Sequence, residues 1–225
     1  MSGSSSSRQA EEFRRALEES APAYGVELDE PSAATLAQYY EKVMRWNVRL
    51  HLVAPCSPAE FATRHVLESL AALPFLAGGA RAIDVGSGGG LPIIPCLVAC
   101  AGLSATLIEA SQKKAVFLRE ALRVVRAQAR ARVVAERFEQ TEAPGAEFVT
   151  CRAIERFAEM LPTLLDWSPQ YATLLLFAGP TLRERLEFLG QDYQQVQLPD
   201  SEQRFLFIIK KGRNSESEID DRQAL

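Results

Sequence analysis

Histidine and cysteine are scarce. His51 and His65 are the only two histidines of 225 residues, and Cys56, Cys96, Cys100 and Cys151 include no CxxC pair. Neither a zinc ligand set nor a dithiol redox motif can be built on that spacing, so no metal is expected. Cys96 and Cys100, four apart on a helical stretch, read as two small apolar side chains on one face. A long apolar run is also missing. Residues 91–103 are the strongest candidate, but they are fewer than the roughly 20 a membrane-spanning helix needs and carry Pro92, Pro95 and Gly102. No membrane span is expected. The opening MSGSSSSRQAEEF has neither the basic start nor the apolar centre of a secretion signal, which makes the cytoplasm the expected location. Charge of one sign is not in excess: 25 Lys and Arg stand against 29 Asp and Glu, a formal net charge of −4. Whole-molecule attraction to nucleic acid is thereby excluded, and any polyanion has to be met by a local patch.

What the chain does have is an ordinary globular balance, 47% hydrophobic and 24% charged, enough to bury the core of one domain with an extension. Residues 11–20 and 32–50 read as helices, the second with Leu36, Tyr39, Tyr40, Val43, Trp46 and Leu50 near a three/four spacing behind an Asp29/Ser32 start signal. Residues 58–76 resume a helical pattern. A helical extension over 9–77, after a disordered tail over 1–8, is the expectation. The period then changes. Residues 81–85 form a strand that runs into Gly86-Ser87-Gly88-Gly89-Gly90, followed by a helix over 91–100 and a strand over 105–109. Helices over 111–129, 156–165 and 182–189 alternate with strands over 132–135, 147–151 and 172–177. Residues 193–198 and 204–210 close as a hairpin, because the gap is too short for a parallel crossover. The expected fold is α/β: a doubly wound, mostly parallel seven-stranded sheet with an antiparallel last strand, over 78–211, and a polar tail over 212–225.

The strand, glycine-rich turn and helix over 81–100 form a ligand-binding design, since glycines let backbone approach a ligand beside a helix N-terminus. Leu91 stands where a nicotinamide GxGxxG fingerprint needs its third glycine, and no Gly-Lys-Ser/Thr follows, so that fingerprint and the P-loop are both broken. An acidic residue ending the second strand, Glu109, is placed to accept both ribose hydroxyls of an adenosine. Asp84, beside the loop, suits an ammonium group directly or through water. Gly88 is where a side chain would obstruct the backbone's approach.

IDVGSGGGLP with Glu109 resembles the first two motifs of class I S-adenosylmethionine-dependent methyltransferases. The resemblance narrows with RWNVRLHLVAP, TRHVLESL, KKAVFLREAL, the ERFEQ turn and the TCRA segment. These occur in the order and spacing of the ribosomal RNA small-subunit methyltransferase G family, also called glucose-inhibited division protein B, over residues 36–210. The resemblance implies a Rossmann-like enzyme that uses S-adenosyl-L-methionine to methylate N7 of a guanine in 16S ribosomal RNA or the 30S subunit. A monomer is the separate expectation. Carried over by position, it implies methionine-moiety and loop contacts for Gly86 and Leu91, an adenine-side turn at Phe138 and Glu139, and a catalytic and cofactor contact for Arg152. The chain departs from the family's usual pattern at His51-Leu52-Val53 for Asn-Leu-Thr, Glu68 for Asp, Cys151 for Ser and Ala178-Gly179 for Lys-Gly.

Guanine N7 has an in-plane lone pair, so its methylation needs alignment and desolvation rather than a general base. No Asp/Asn-Pro-Pro-Tyr/Phe segment of the kind used on exocyclic amines follows the fourth strand; Thr150-Cys151-Arg152-Ala153 stands there. A nucleophilic Cys151 would belong to cytosine-C5 chemistry instead. For RNA, Arg64 and His65 offer either substrate contact or a structural pair against the glycine loop. Arg119, Arg123, Arg126 and Arg130 recur at helical spacing, either a phosphate-binding stripe or a solvated face. Trp46, Tyr39 and Tyr40 read as core. Two alternatives stay open at this level: a methyltransferase for a small molecule or protein, and a non-catalytic cofactor- or RNA-binding module.

Overall fold

A computed structural model of the chain describes residues 3–76, 79–143, 145–152 and 156–212. The N-terminal extension comprises α1 (Gly3–Ser20), α2 (Glu30–Leu50), α3 (Pro58–Glu60), a π-helical segment (Phe61–Leu67) and α4 (Glu68–Leu70). Asp29 caps α2, its side chain accepting from Ser32 N at 2.9 Å, and Ser57 caps α3 in the same way through Glu60 N. The extension closes on its own aromatics: Phe13 stacks on Tyr40 at 4.8 Å, and Phe61 meets both.

The sheet holds β1 (Arg81–Val85), β2 (Ser104–Ile108), β3 (Ala131–Val134), β4 (Phe148–Cys151), β5 (Thr173–Ala178), β6 (Gln194–Gln197) and β7 (Phe205–Lys210) in the order β3-β2-β1-β4-β5-β7-β6. β1 to β5 are parallel. β7 runs antiparallel against β5, with Leu175 opposite Ile208, and β6 pairs antiparallel on the outside of β7. The helices α5 (Ile93–Ala99), α6 (Gln112–Val124), α7 (Phe157–Trp167) and α8 (Pro180–Phe188) cover the sheet. The central strands are buried on both faces, which is why TLLLFA and FLFIIK are continuous apolar runs. Gln194–Gln197 is exposed at every position, as an edge strand tolerates. One core joins α5 and α6 to the extension; the other lies under α7 and α8. The strand order reverses at β1, with β2 on one side and β4 on the other, so the crevice at their C-terminal ends is where this topology binds ligands.

Three expectations change. Residues 3–8 belong to the first turns of α1 rather than to a disordered tail; serine carries only a small helix penalty, and the helix is anchored by buried Phe13 and Leu17. The glycine turn is longer than expected, because the helix after it begins at Ile93, with Ile94 N bonded to Gly90 O at 2.8 Å. α6 ends at Val124, five residues early. Arg126 turns left-handed (φ 54°) and Ala127 N bonds back to Leu122 O, burying Val125 and Ala127. The Arg119/Arg123/Arg126/Arg130 stripe therefore does not exist: Arg126 lies beyond the helix, and Arg130 turns inward to the carbonyls of Leu97, Cys100 and Leu103. Residues 213–225, most of the expected polar tail, lie outside the described residues, as does Ala153. Among the described residues no helix is long and apolar enough to cross a membrane.

Candidate functional site

The loop after β1 is tied down from two sides. Gly86 N and Ser87 N both donate to Ile108 O, at 3.0 and 3.1 Å, and Ser87 Oγ donates to Asp84 O, so the turn hangs on the end of β2. Gly86, Gly88 and Gly90 have φ of 69°, 50° and 88°, a region side chains rarely adopt. At Gly90 a Cβ would also fall 2.4 Å from Ile94 Cδ1. From the extension, Tyr39 donates its hydroxyl to Gly89 O at 2.5 Å, and Leu52 packs beside Gly89, its Cβ 3.6 Å from where a Cβ on that glycine would stand. Tyr39 read as core in the sequence; it is buried, and it also clamps the loop.

Above this loop lies a cavity of about 750 Å³, within the range of small-molecule sites. Gly86, Gly88, Leu91, Glu109, Phe138 and Glu139 all line it. Glu109 is fixed by two backbone donors, Gly88 N to Oε2 and Ser111 N to Oε1, each at 2.8 Å. Each carboxylate oxygen keeps a second lone pair for a ligand. Phe138 packs edge-on against Trp167 at 5.4 Å, and Trp167 Nε1 donates to Thr141 O, which fixes the turn after β3. The extension contributes Leu52, Val53 and His65 to the wall. Asn47 orders that wall by exchanging two hydrogen bonds with the Val53 backbone, each at 3.0 Å.

Asp84 is placed differently from its expectation. It does not line the cavity; it is 1% exposed, behind the loop, where Thr150 Oγ1 donates to its Oδ1 at 2.7 Å and Oδ2 has no partner. Burial drives its pKa up from 3.8 to about 7, against the lowering effect of the Thr150 and Ser87 hydrogen bonds. β1 is buried from Ala82 to Val85, so the side chain of Asp84 is enclosed with its neighbours, which the linear pattern IDVG does not reveal.

Arg152 reaches the cavity wall with a side chain 17% exposed, but most of its donors face the extension. Its guanidinium bonds Glu68 Oε2 at 3.0 Å, Ser69 Oγ at 3.2 Å, and the carbonyls of His65 and Arg64. It also lies over the Phe177 ring at 5.7 Å. Glu68, 1% exposed, takes a second arginine on its other oxygen, Arg204 Nε at 2.7 Å. The sequence offered Glu68 only as a departure and said nothing of Arg204. Their sequence separation of 136 residues leaves no local signal. His65 stacks near Phe61, and burial with the neighbouring Arg152 holds it neutral, its pKa lowered to about 3. Arg64 is exposed and paired with Glu60, and Arg123 with Glu120; neither lines the cavity. Cys151 is buried in the core under α7 and α8, away from the cavity lining. No metal-binding cluster occurs among the described residues.

A family model described as rRNA small subunit methyltransferase G matches residues 32–215, spanning the lower extension, the glycine loop and the whole sheet. The chain belongs to the rRNA small subunit methyltransferase G family. Among curated members, the chain is 36% identical over 192 residues to the ribosomal RNA small subunit methyltransferase G of Xanthomonas axonopodis pv. citri, covering 82% of this chain and 90% of that one. It is 43% identical over 132 residues to the Stenotrophomonas maltophilia member, covering 58% and 61%. Solved structures share the fold at low identity. An O-methyltransferase from Bacillus cereus in complex with SAH superposes with a TM-score of 0.55 at 16% identity, over 77% of this chain and 90% of that one. The precorrin-6y C5,15-methyltransferase of Geobacter metallireducens gives 0.50 at 15%, over 64% and 86%.

Proposed function

We propose that the chain transfers a methyl group from S-adenosylmethionine to N7 of a guanine in 16S ribosomal RNA, acting as a monomer in the cytoplasm. The observation that supports this reading is the match, along 90% of the Xanthomonas member, to relatives named as methyltransferases of small-subunit ribosomal RNA. The cavity fits the cofactor by its donor set. A carboxylate at the end of β2 suits a ribose diol, the Phe138 ring suits the face of an adenine, and the three left-handed glycines leave backbone free for an amino-acid moiety. Glu109, Phe138, Gly86, Gly88 and Leu91 would hold it, with Glu139 beside them in the lining. Asp84 would act on an ammonium group only through the loop or a water, because it lies behind the glycines.

When bound, S-adenosylmethionine supplies an electrophilic methyl on a sulfonium. The chain's residues have to bind, align and exclude water, since N7 gives up no proton. The lining suits that task. His65, neutral and with Nδ1 buried, offers no cation beside the incoming base, and the buried Cys151 offers no thiolate. Arg152 presents its remaining surface to the cavity while anchored at Glu68. Incubation with labelled S-adenosylmethionine and, separately, purified 30S subunits, naked 16S RNA and RNA-free cell extract tests the substrate. Label in guanine N7 of the ribosomal material is expected. Label confined to the RNA-free extract would assign a protein or small molecule instead, and no label anywhere would leave a binding module.

A further inference from the structure

α2 and α6 pack antiparallel: Lys42 pairs with Glu120 at 3.5 Å, and one turn along, the Trp46 and Phe117 rings meet at 5.8 Å. The last turn of α2 and the first turn of α6 therefore lie side by side. Both open onto the cavity, because α2 leads into Leu52, Val53 and Ala54, and α6 follows Glu109 and Ala110, all cavity-lining residues. Residues 42–51 and 111–119 hold six Lys and Arg and no Asp or Glu, in a chain whose net charge is −4. Lys42 is taken by Glu120. Arg45, Arg49, Lys113 and Arg119 are exposed, and among the described residues none of them has an ion pair or a side-chain hydrogen bond. Five arginines elsewhere are matched: Arg64, Arg81, Arg123, Arg152 and Arg204 each hold a carboxylate. Val48, 81% exposed, and Val116, 47% exposed, sit on the same two helices and add apolar surface.

Grouped cations without internal partners repel one another, and an external polyanion relieves that repulsion while releasing its own counterions. We infer that this two-helix face docks the backbone of the RNA, with Arg45, Arg49, Lys113 and Arg119 on phosphates and the cavity mouth beside them for the target base. The inference rests on the RNA substrate proposed above. It puts the electrostatic footprint on the C-terminal part of α2 and on α6 as far as Arg119, short of the residues beyond the end of α6.

The test compares wild-type protein with the variant R45Q/R49Q/K113Q/R119Q and with a charge-matched control, R8Q/R15Q/R126Q/K210Q, which removes exposed cations elsewhere. Binding to transcribed 16S RNA is measured across a salt series, with S-adenosylhomocysteine affinity and melting temperature recorded for each protein. Loss of four phosphate contacts should flatten the slope of log K against log salt by about 3 to 4. It should also weaken RNA binding at least tenfold at low salt, with cofactor affinity and melting unchanged and the control like wild type. Wild-type RNA binding with an unaltered slope in the four-residue variant, or an equal loss in the control, would overturn the surface. Absence of salt-dependent RNA binding by the wild-type protein would overturn the substrate reading itself.

Discussion

Glu109 spends one lone pair of each carboxylate oxygen on a backbone amide, and what it can still accept decides what the cavity binds. Glu109→Ala removes both the ligand acceptor and the tie between β2 and Gly88. It is expected to weaken S-adenosylhomocysteine binding by about 1–3 kcal/mol; unchanged affinity in calorimetry would place the ribose elsewhere. Gly90 answers to sterics alone. Gly90→Val would drive its side chain into Ile94 at a left-handed φ, so cofactor binding should be lost together with a cooperative melting transition lowered by several degrees. Asp84 gives a pH signature. Its folded pKa is raised to about 7 from 3.8, so its stability contribution is complete below about 3.8 and is lost as pH rises through about 7. Asp84→Asn cannot ionise. Relative to wild type it should gain stability between about pH 5 and pH 8, read by urea unfolding at the two values, and a pH-independent difference would contradict the buried carboxyl. His65 runs the opposite way: its pKa is lowered to about 3, so it destabilises only as pH falls below about 6.5.

At the scale of elements, the joint between extension and sheet is held by Glu68 between Arg152 from the end of β4 and Arg204 from the approach to β7. Arg152 also caps carbonyls of the π-helical segment, so its first duty is structural. Arg152→Ala strands part of a buried carboxylate and is expected to cost on the order of 3 kcal/mol in urea unfolding. The pair Glu68→Gln with Arg152→Met should cost clearly less than the sum of the single changes. Additive losses would mean that the two do not act together. β5 and β7 were legible in the sequence because they are near-continuous apolar runs, and the glycine turn because its residue types permit few other conformations. The early end of α6 was not, because the arginines at 126 and 130 continue a helical period that only the burial of Val125 and Ala127 interrupts. The same holds for the site: Gly86, Gly88, Leu91, Glu109 and Phe138 come together from adjacent β–α turns, whereas Tyr39, Glu68 and Arg204 enter through packing between distant segments.

The whole molecule is a doubly wound sheet whose cavity has one wall supplied by a separate helical layer. That layer contributes Leu52, Val53 and His65 to the cavity wall and carries the exposed Arg45 and Arg49 on α2. An acidic chain thus approaches RNA with one basic face rather than with its overall charge. The most direct test of the account is to map N7-methylguanine in 16S RNA from cells lacking the chain, cells regaining it, and cells regaining the Glu109→Ala form. One guanine should lose its N7 methyl in the deletion, recover it with the wild-type chain and recover it poorly with the variant. An N7-methylguanine pattern identical in all three would contradict the assignment.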